Sequence, residues 1–257
     1  MQGFERKSYK VNGVDTVIYE GGKGKEPLMF LHGGGTFHGF EFVSAWTDQF
    51  RVLHPYHPGY GESGDDPEMN ELQDYVLHYD ALLDTLKIDK INLVGFSLGG
   101  WIAAKFAIAY PNRVKKLALV GPAGFRDKEH PTADILGLPG EQLPGMLVSN
   151  FDVIKKWLPE GPPPMDFIAA RYREATTFAR LFWERPWDAK LPRYLHRVTM
   201  PTLIVWGDED RIVPVEQHKH WKKFLPKADI KIIKGAGHLV LDEKPEAAKA
   251  VASFMAG

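Results

Sequence analysis

The stretch Ile91-Asn92-Leu93-Val94-Gly95-Phe96-Ser97-Leu98-Gly99-Gly100 constrains the fold more than any other. An apolar run of strand length enters a Gly-Phe-Ser-Leu-Gly turn, and a helical pattern rich in small residues leaves it, from Gly99 to Tyr110. A reversal this tight forces the serine into strained backbone geometry. Side chains two residues to either side would collide with neighbouring chain, so glycine is needed at both places. The pattern has the form of the G-x-S-x-G nucleophile elbow, which lifts one serine hydroxyl clear of a strand-to-helix turn. The same five letters also suit a buried turn whose serine only caps the helix. Which of the two holds depends on what the rest of the chain brings to Ser97.

Strand and helix patterns alternate on both sides of the elbow. Residues 4–9 and 14–19 read as strands around the Asn12-Gly13 turn, and Leu28-Met29-Phe30-Leu31 as a short buried strand. Residues 37–49 read as a short helix or helical loop, and 51–54 as a brief strand before the Pro55-to-Gly64 turn cluster. Leu72, Tyr75, Val76, Tyr79, Leu82, Leu83 and Leu86 fall at helical spacing and form a core-facing stripe. Strands follow at 114–120, 202–206 and 230–233, with helices at 216–225 and 245–255. The alternation predicts an α/β fold, a mostly parallel sheet with helices on both faces.

Between 121 and 192 the rhythm breaks. Prolines recur (Pro131, Pro139, Pro144, Pro159, Pro162, Pro163, Pro164, Pro186) among large apolar residues that include Met146, Trp157, Phe178, Phe182 and Trp183. Short helices are expected at 150–158 and 165–183, with no strands. The segment reads as an inserted helical cap over 122–192, with 1–121 and 193–257 as the core. Most of its aromatics are expected to form the cap's own interior, and some to face a cleft beneath.

Three reactive residue types directly follow three separate strands: Ser97, an acid within Asp208-Glu209-Asp210, and His238. A parallel sheet places the carboxyl ends of its strands along one edge, so residues far apart in sequence converge there. The strand at 28–31 runs into His32-Gly33-Gly34-Gly35, where backbone N–H groups can approach a reacting oxygen closely. His32 itself reads as structural. His54 and His57 are three apart but flanked by prolines, with no cysteine or well-spaced carboxylate near them, and do not read as a metal pair. Gly21-Gly22-Lys23-Gly24-Lys25 lacks the Gly-Lys-Ser/Thr of a phosphate loop.

Taken together, the chain resembles an α/β-hydrolase-fold serine hydrolase of the cap-bearing, esterase-like type. The resemblance rests on His32-Gly33-Gly34-Gly35, Pro58-Gly59-Tyr60-Gly61-Glu62-Ser63, the elbow, Gly207-Asp208-Glu209-Asp210-Arg211-Ile212-Val213-Pro214 and Gly235-Ala236-Gly237-His238, in that order. It implies Ser97 as nucleophile, His238 as general base and Asp210 as the orienting acid, with Asp208 the competing carboxylate. His218 and His220 lie on an expected surface helix. The resemblance also implies oxyanion donors from the backbone N–H groups of Leu98 and Gly34, with Gly35 as the fallback, and neither metal nor cofactor. One departure is Tyr56, where such relatives commonly carry aspartate; the consequence expected is for loop anchoring.

The expected reaction is hydrolysis of an ester of a small, largely apolar substrate through an acyl-enzyme on Ser97. One alternative is carbon–carbon bond hydrolysis of meta-cleavage dienoates, whose enzymes tend to carry tryptophan after the catalytic histidine, where this chain has Leu239. Another is a non-catalytic small-molecule receptor on the same fold. Haloalkane dehalogenase and epoxide hydrolase chemistry would need aspartate at Ser97. A net charge of −1 gives no basic excess for nucleic acid, and the absence of cysteine excludes disulfides. With a polar, charged start and no apolar run of about 20 residues, the expectation is a soluble cytoplasmic protein with no membrane partner.

Overall fold

Asn12 and Gly13 both adopt positive φ (48° and 87°), the geometry of a two-residue hairpin whose twist matches its strands. In the computed structural model, which describes residues 2–257, that turn joins β1 (Phe4–Val11) to β2 (Val14–Gly21). The remaining elements are β3 (Glu26–Leu31), β4 (Phe50–Pro55), α1 (Leu72–Thr85), β5 (Ile91–Phe96), α2 (Leu98–Ala109) and β6 (Val114–Val120). Then come α3 (Leu143–Leu147), α4 (Asp152–Lys155), α5 (Met165–Phe182) and α6 (Leu191–Tyr194). β7 (Thr202–Gly207), α7 (His218–Phe224), β8 (Asp229–Ile233), α8 (Val240–Glu243) and α9 (Pro245–Ala256) complete the chain.

The strands form one sheet in the order β1-β2-β4-β3-β5-β6-β7-β8. β2 pairs antiparallel with β1 and β4; every other pairing is parallel. Side chains alternate between faces with the period of two that strand geometry dictates. Met29, Leu31, Leu117, Leu119, Ile204 and Trp206 enter the core that includes Tyr75, Ile102 and Trp221 of α1, α2 and α7. Leu28, Phe30, Ala118, Val120, Leu203 and Val205 enter the opposite core, with Trp46 and with Val240, Ala248 and Val251 of α8 and α9. The fold is thus the expected mostly parallel α/β sheet, buried on both sides.

The topology fixes where a ligand can sit. β3 pairs with β4 on one side and β5 on the other, so the loops leaving β3 and β5 diverge. A crevice opens at such a switch point, at the carboxyl end of the strands. Residues 32–35 and Ser97 stand there.

Local departures have local causes. The helix expected across 37–49 is a single 3₁₀ segment, Glu41–Trp46, entered through Phe40 in the left-handed region at φ 52°. Between β6 and β7 the chain is helical or irregular, and its one bridge pairs Gly124 with Trp187. The helix expected at 150–158 shortens to α4, ending before Pro159, whereas α5 follows its expected span to within a residue.

Candidate active site

Ser97 begins α2 with φ 53° and ψ −115°, a conformation side-chain-bearing residues rarely adopt. Its backbone is pinned on three sides: its N–H donates to Val120 O (2.9 Å), and its carbonyl accepts from Trp101 (3.1 Å) and Ala123 (3.2 Å). The side chain makes no capping bond to the helix. The glycines explain how the turn closes. A Cβ at Gly99 would lie 2.1 Å from Leu31 O, and one at Gly95 would lie 2.3 Å from Gly99 O, so neither position admits a side chain.

The strain is measurable. Ser97→Gly should relieve it and raise stability by about 1 kcal/mol, after the entropy cost of a new glycine is subtracted. Thermal unfolding checks this, and a lowered melting temperature would mean the turn is unstrained.

The acid loop after β7 and the loop after β8 meet beside the serine. His238 Nδ1–H donates to Asp210 Oδ2 at 2.8 Å, with both residues buried. The other oxygen, Asp210 Oδ1, accepts the N–H groups of Ile212 and Val213 at 2.9 Å each. A carboxylate so held orients the ring and favours the tautomer with its hydrogen on Nδ1, so that Nε2 is the acceptor nitrogen. Asp208 is occupied elsewhere, accepting from Gly235 N–H (2.7 Å) and pairing with Lys234 (3.1 Å). The structure therefore separates the two competing carboxylates. His218 and His220 bond Val215 O and Asp127 on and around α7, away from this site.

The His238 ring packs on Phe96, centroids 4.8 Å apart, immediately before Ser97. A methyl group placed on Gly121 would lie 3.4 Å from Asp210 Oδ2 and 3.6 Å from His238 Nδ1, and Gly121 directly follows the residue that bonds Ser97 N–H. The ends of β5, β7 and β8, with Gly121 at the end of β6 between them, thus bring the three residues into one neighbourhood. Ser97 Oγ has no hydrogen-bond partner among the described residues, consistent with a contact that tightens only around substrate.

The glycine loop completes the ring. A Cβ on Gly33 would stand 3.3 Å from Ser97 Cβ and 2.9 Å from the Phe96 ring, and one on Gly34 would touch the Phe178 ring at 3.0 Å. His32 anchors this loop from below: its Nδ1–H donates to Gly33 O (2.7 Å) while Nε2 accepts His57 N–H (3.0 Å). His57 in turn donates from Nε2 to His32 O (2.8 Å) and accepts from the Tyr79 hydroxyl at Nδ1. Both ring nitrogens of His57 are thus committed to protein, and His54 Nδ1 donates to Phe30 O (3.3 Å). The Tyr56 ring lies against Gly61, and its carbonyl accepts from Ser63 Oγ (2.8 Å).

Two carboxylates outside the sequence motifs, Glu174 and Glu243, join the site, along with one of the cap aromatics. Phe178 of α5 covers Gly34. Glu174, one turn earlier and 3% exposed, accepts from Thr36 N–H (3.1 Å) and Gly61 N–H (3.2 Å). Glu243 of α8 accepts from Gly237 N–H with one oxygen and from Ser149 N–H (2.8 Å), Ser149 Oγ (2.9 Å) and Asn150 N–H (2.9 Å) with the other. A signal existed for Glu174. It shares a helical face with Phe167, Phe178 and Leu181, so it is a lone carboxylate within an apolar stripe. On the outer side of α5, Met165, Tyr172 and Trp183 are exposed and line nothing in the site.

Residues 28–251 match the model of the alpha/beta hydrolase family. Lipase 1 of Psychrobacter immobilis is 29% identical, the match covering 98% of this chain and 85% of that protein. A 2-hydroxy-6-oxononadienedioate/2-hydroxy-6-oxononatrienedioate hydrolase of Paraburkholderia phymatum is 32% identical over 84% of this chain and 82% of its own length. The meta-cleavage product hydrolase of Pseudomonas fluorescens IP01 superposes with a TM-score of 0.80 at 21% identity, covering 97% of each chain. Among the described residues no helix is long and apolar enough to cross a membrane.

Proposed function

The chain belongs to the alpha/beta hydrolase family and is a hydrolytic enzyme, and we propose that it cleaves esters of small, largely apolar substrates through an acyl-enzyme on Ser97. The observation that carries this reading is the buried His238–Asp210 pair beside an unpartnered serine at the carboxyl edge of the sheet. Ser97 Oγ attacks the ester carbonyl while His238 Nε2 takes its proton. The proton then passes to the departing alkoxide, which leaves as the alcohol. Water, deprotonated by the same nitrogen, releases the acid and restores the serine. Asp210 stabilises the imidazolium formed in each step. Backbone N–H groups of Leu98 and Gly34 receive the oxyanion, and residues 122–192 form the cap, with Phe178 as its contribution to an apolar wall.

A panel of p-nitrophenyl and naphthyl esters tests the reading. Turnover saturating at micromolar to millimolar substrate is expected, with the short acyl chains fastest. Tight binding of such esters without turnover would sink it in favour of the receptor reading.

One observation favours carbon–carbon hydrolysis of dienoates as a second reading. Arg171 of α5 lies beside Thr36 of the glycine loop; its Nη1 pairs with Glu174 Oε2 (3.1 Å), while its Nε is buried without a hydrogen-bond acceptor. Burial also lowers the pKa of its guanidinium, whose charge a substrate carboxylate would stabilise. Several relatives are named as hydrolases of such dienoates. Leu239 in place of tryptophan speaks against it. A meta-cleavage dienoate belongs in the same panel.

A further inference from the structure

The glycine loop leaves its strand without main-chain support. Among the described residues, none from 33 to 39 joins a backbone-to-backbone hydrogen bond. A segment of three consecutive glycines so unsupported has wide conformational freedom, yet a working oxyanion site needs its N–H groups aimed to within a few tenths of an ångström. Something outside the loop must hold it.

At its start the holder is His32, bonded to Gly33 O and to His57 N–H. At its far end the holder is a side chain 138 residues away. Glu174 accepts from Thr36 twice, at Oε2 from the N–H (3.1 Å) and at Oε1 from the hydroxyl. Oε1 also accepts Gly61 N–H (3.2 Å), from the turn after β4, and Oε2 pairs with Arg171 Nη1 (3.1 Å). A position for a Cβ on Gly35 would lie 3.8 Å from Oε2. Its neighbours on α5 grip the same two loops: Phe178 against Gly34, Thr177 against Gly59.

Carboxylates are seldom buried, because leaving water costs more than most contacts return. Here the buried carboxylate has four donors, and two of them belong to Thr36. Gly34 is suspended between His32 and Thr36, two fixed points on either side of it. We propose that Glu174 is the positioning residue of the oxyanion site. It sets the Gly34 N–H toward the reacting carbonyl, so that the site is assembled only while α5 is docked. The proposal rests on Ser97 being the nucleophile and Gly34 an oxyanion donor.

Its signature is a loss confined to the transition state. Glu174→Gln turns an amide N–H toward donors that need an acceptor. With a p-nitrophenyl ester, kcat should fall about 10- to 100-fold, with KM within about threefold of wild type. Affinity for an aryl trifluoromethyl ketone, whose adduct with serine carries the oxyanion, should fall by the same factor as kcat/KM. Thr36→Val removes the hydroxyl bond to Glu174 and the longer one from Arg171 Nη2 (3.4 Å), keeps the N–H bond, and should lose about 3- to 10-fold in kcat, which preserves the test where Glu174→Gln does not fold. Arg180→Ala breaks a separate tie of α5 to the core, the bidentate pair with Asp65 (2.7 and 3.2 Å), and should leave kcat within about twofold.

Wild-type turnover that Ser97→Ala abolishes comes first; its absence would defeat the Ser97 reading. With turnover established, an unchanged kcat in both Glu174→Gln and Thr36→Val, or a change in KM alone, would overturn the role of Glu174. A kcat loss in Arg180→Ala equal to that in Glu174→Gln would do the same, since cap docking in general would then explain it.

Discussion

Ser97→Ala should lower kcat for p-nitrophenyl butyrate by as much as about a millionfold and leave the thermal unfolding curve within a degree or two of wild type. The two halves of that result have separate origins. Activity falls because no other side chain at the sheet edge can form the acyl intermediate. Stability holds because Ser97 Oγ has no hydrogen-bond partner among the described residues, and the contacts that close the elbow are made by its own backbone with Val120, Trp101 and Ala123. Asp210→Asn should cost less, about 10⁴-fold in kcat, since the amide invites the wrong imidazole tautomer while leaving nucleophile and base present. Asp208→Asn loses only its pair with Lys234 and should retain wild-type turnover. Steady-state kinetics with calorimetry on the three variants suffices. Residual activity in Ser97→Ala within tenfold of wild type would rule out the acyl-enzyme, and equal losses in Asp208→Asn and Asp210→Asn would undo the assignment of the acid.

What could be read from the sequence, and what could not, divides along the range of the interactions. The elbow, the Asp210 loop and the His238 loop are each a few residues long and follow an apolar strand. Local steric need, such as the 2.1 Å approach of Gly99 to Leu31 O, writes itself into nearby letters. α1 and α5 were legible because a packed helix repeats its apolar positions. α3, α4 and α6 were not, or only in part, because four- and five-residue helices broken by proline have too few turns to show a period. α8, a four-residue helix that begins two residues after His238, left no pattern for the same reason. Glu174 and Glu243 act across separations of 138 and 94 residues, on backbone N–H groups that every residue but proline possesses. A partner that is merely an amide leaves no residue type to notice. His32 and His54 were hidden in the same way, since their hydrogen bonds go to backbone carbonyls and an amide.

Buried histidines should make the protein sensitive to mild acid. His54 and His57 are pushed down to about 3 and His78 to about 4, and His32 lies well below its ordinary 6.5, all principally through burial. The hydrogen bonds agree with neutral rings: His32 Nε2 already receives His57 N–H and His57 Nδ1 receives the Tyr79 hydroxyl, so neither nitrogen has room for a proton. His54 Nε2 and His78 Nδ1 are buried with no acceptor to stabilise a cation. The unfolded chain takes up protons at about 6.5 and the folded chain does not, so the unfolded state binds more protons and stability falls as pH drops. The stabilisation is fully present above 6.5 and is lost progressively toward the folded values near 3 to 4. For His54, His57 and His78 the loss is about 1.4 kcal/mol per pH unit once well below 6.5, about 2 kcal/mol apiece at pH 5. Together these three rings amount to about 6 kcal/mol, a large share of the stability of an ordinary domain. Carboxylates have barely begun to titrate at pH 5, so the slope above it reports the histidines. Urea denaturation at pH 7.5, 6.5, 5.5 and 5.0 should show a flat region, then a steep fall. His54→Phe, which fits among Phe30, Phe40 and Tyr56, should remove about one proton from that slope. Stability that stays constant from pH 7.5 to 5 would mean these rings accept protons in the folded state, against the geometry that encloses them.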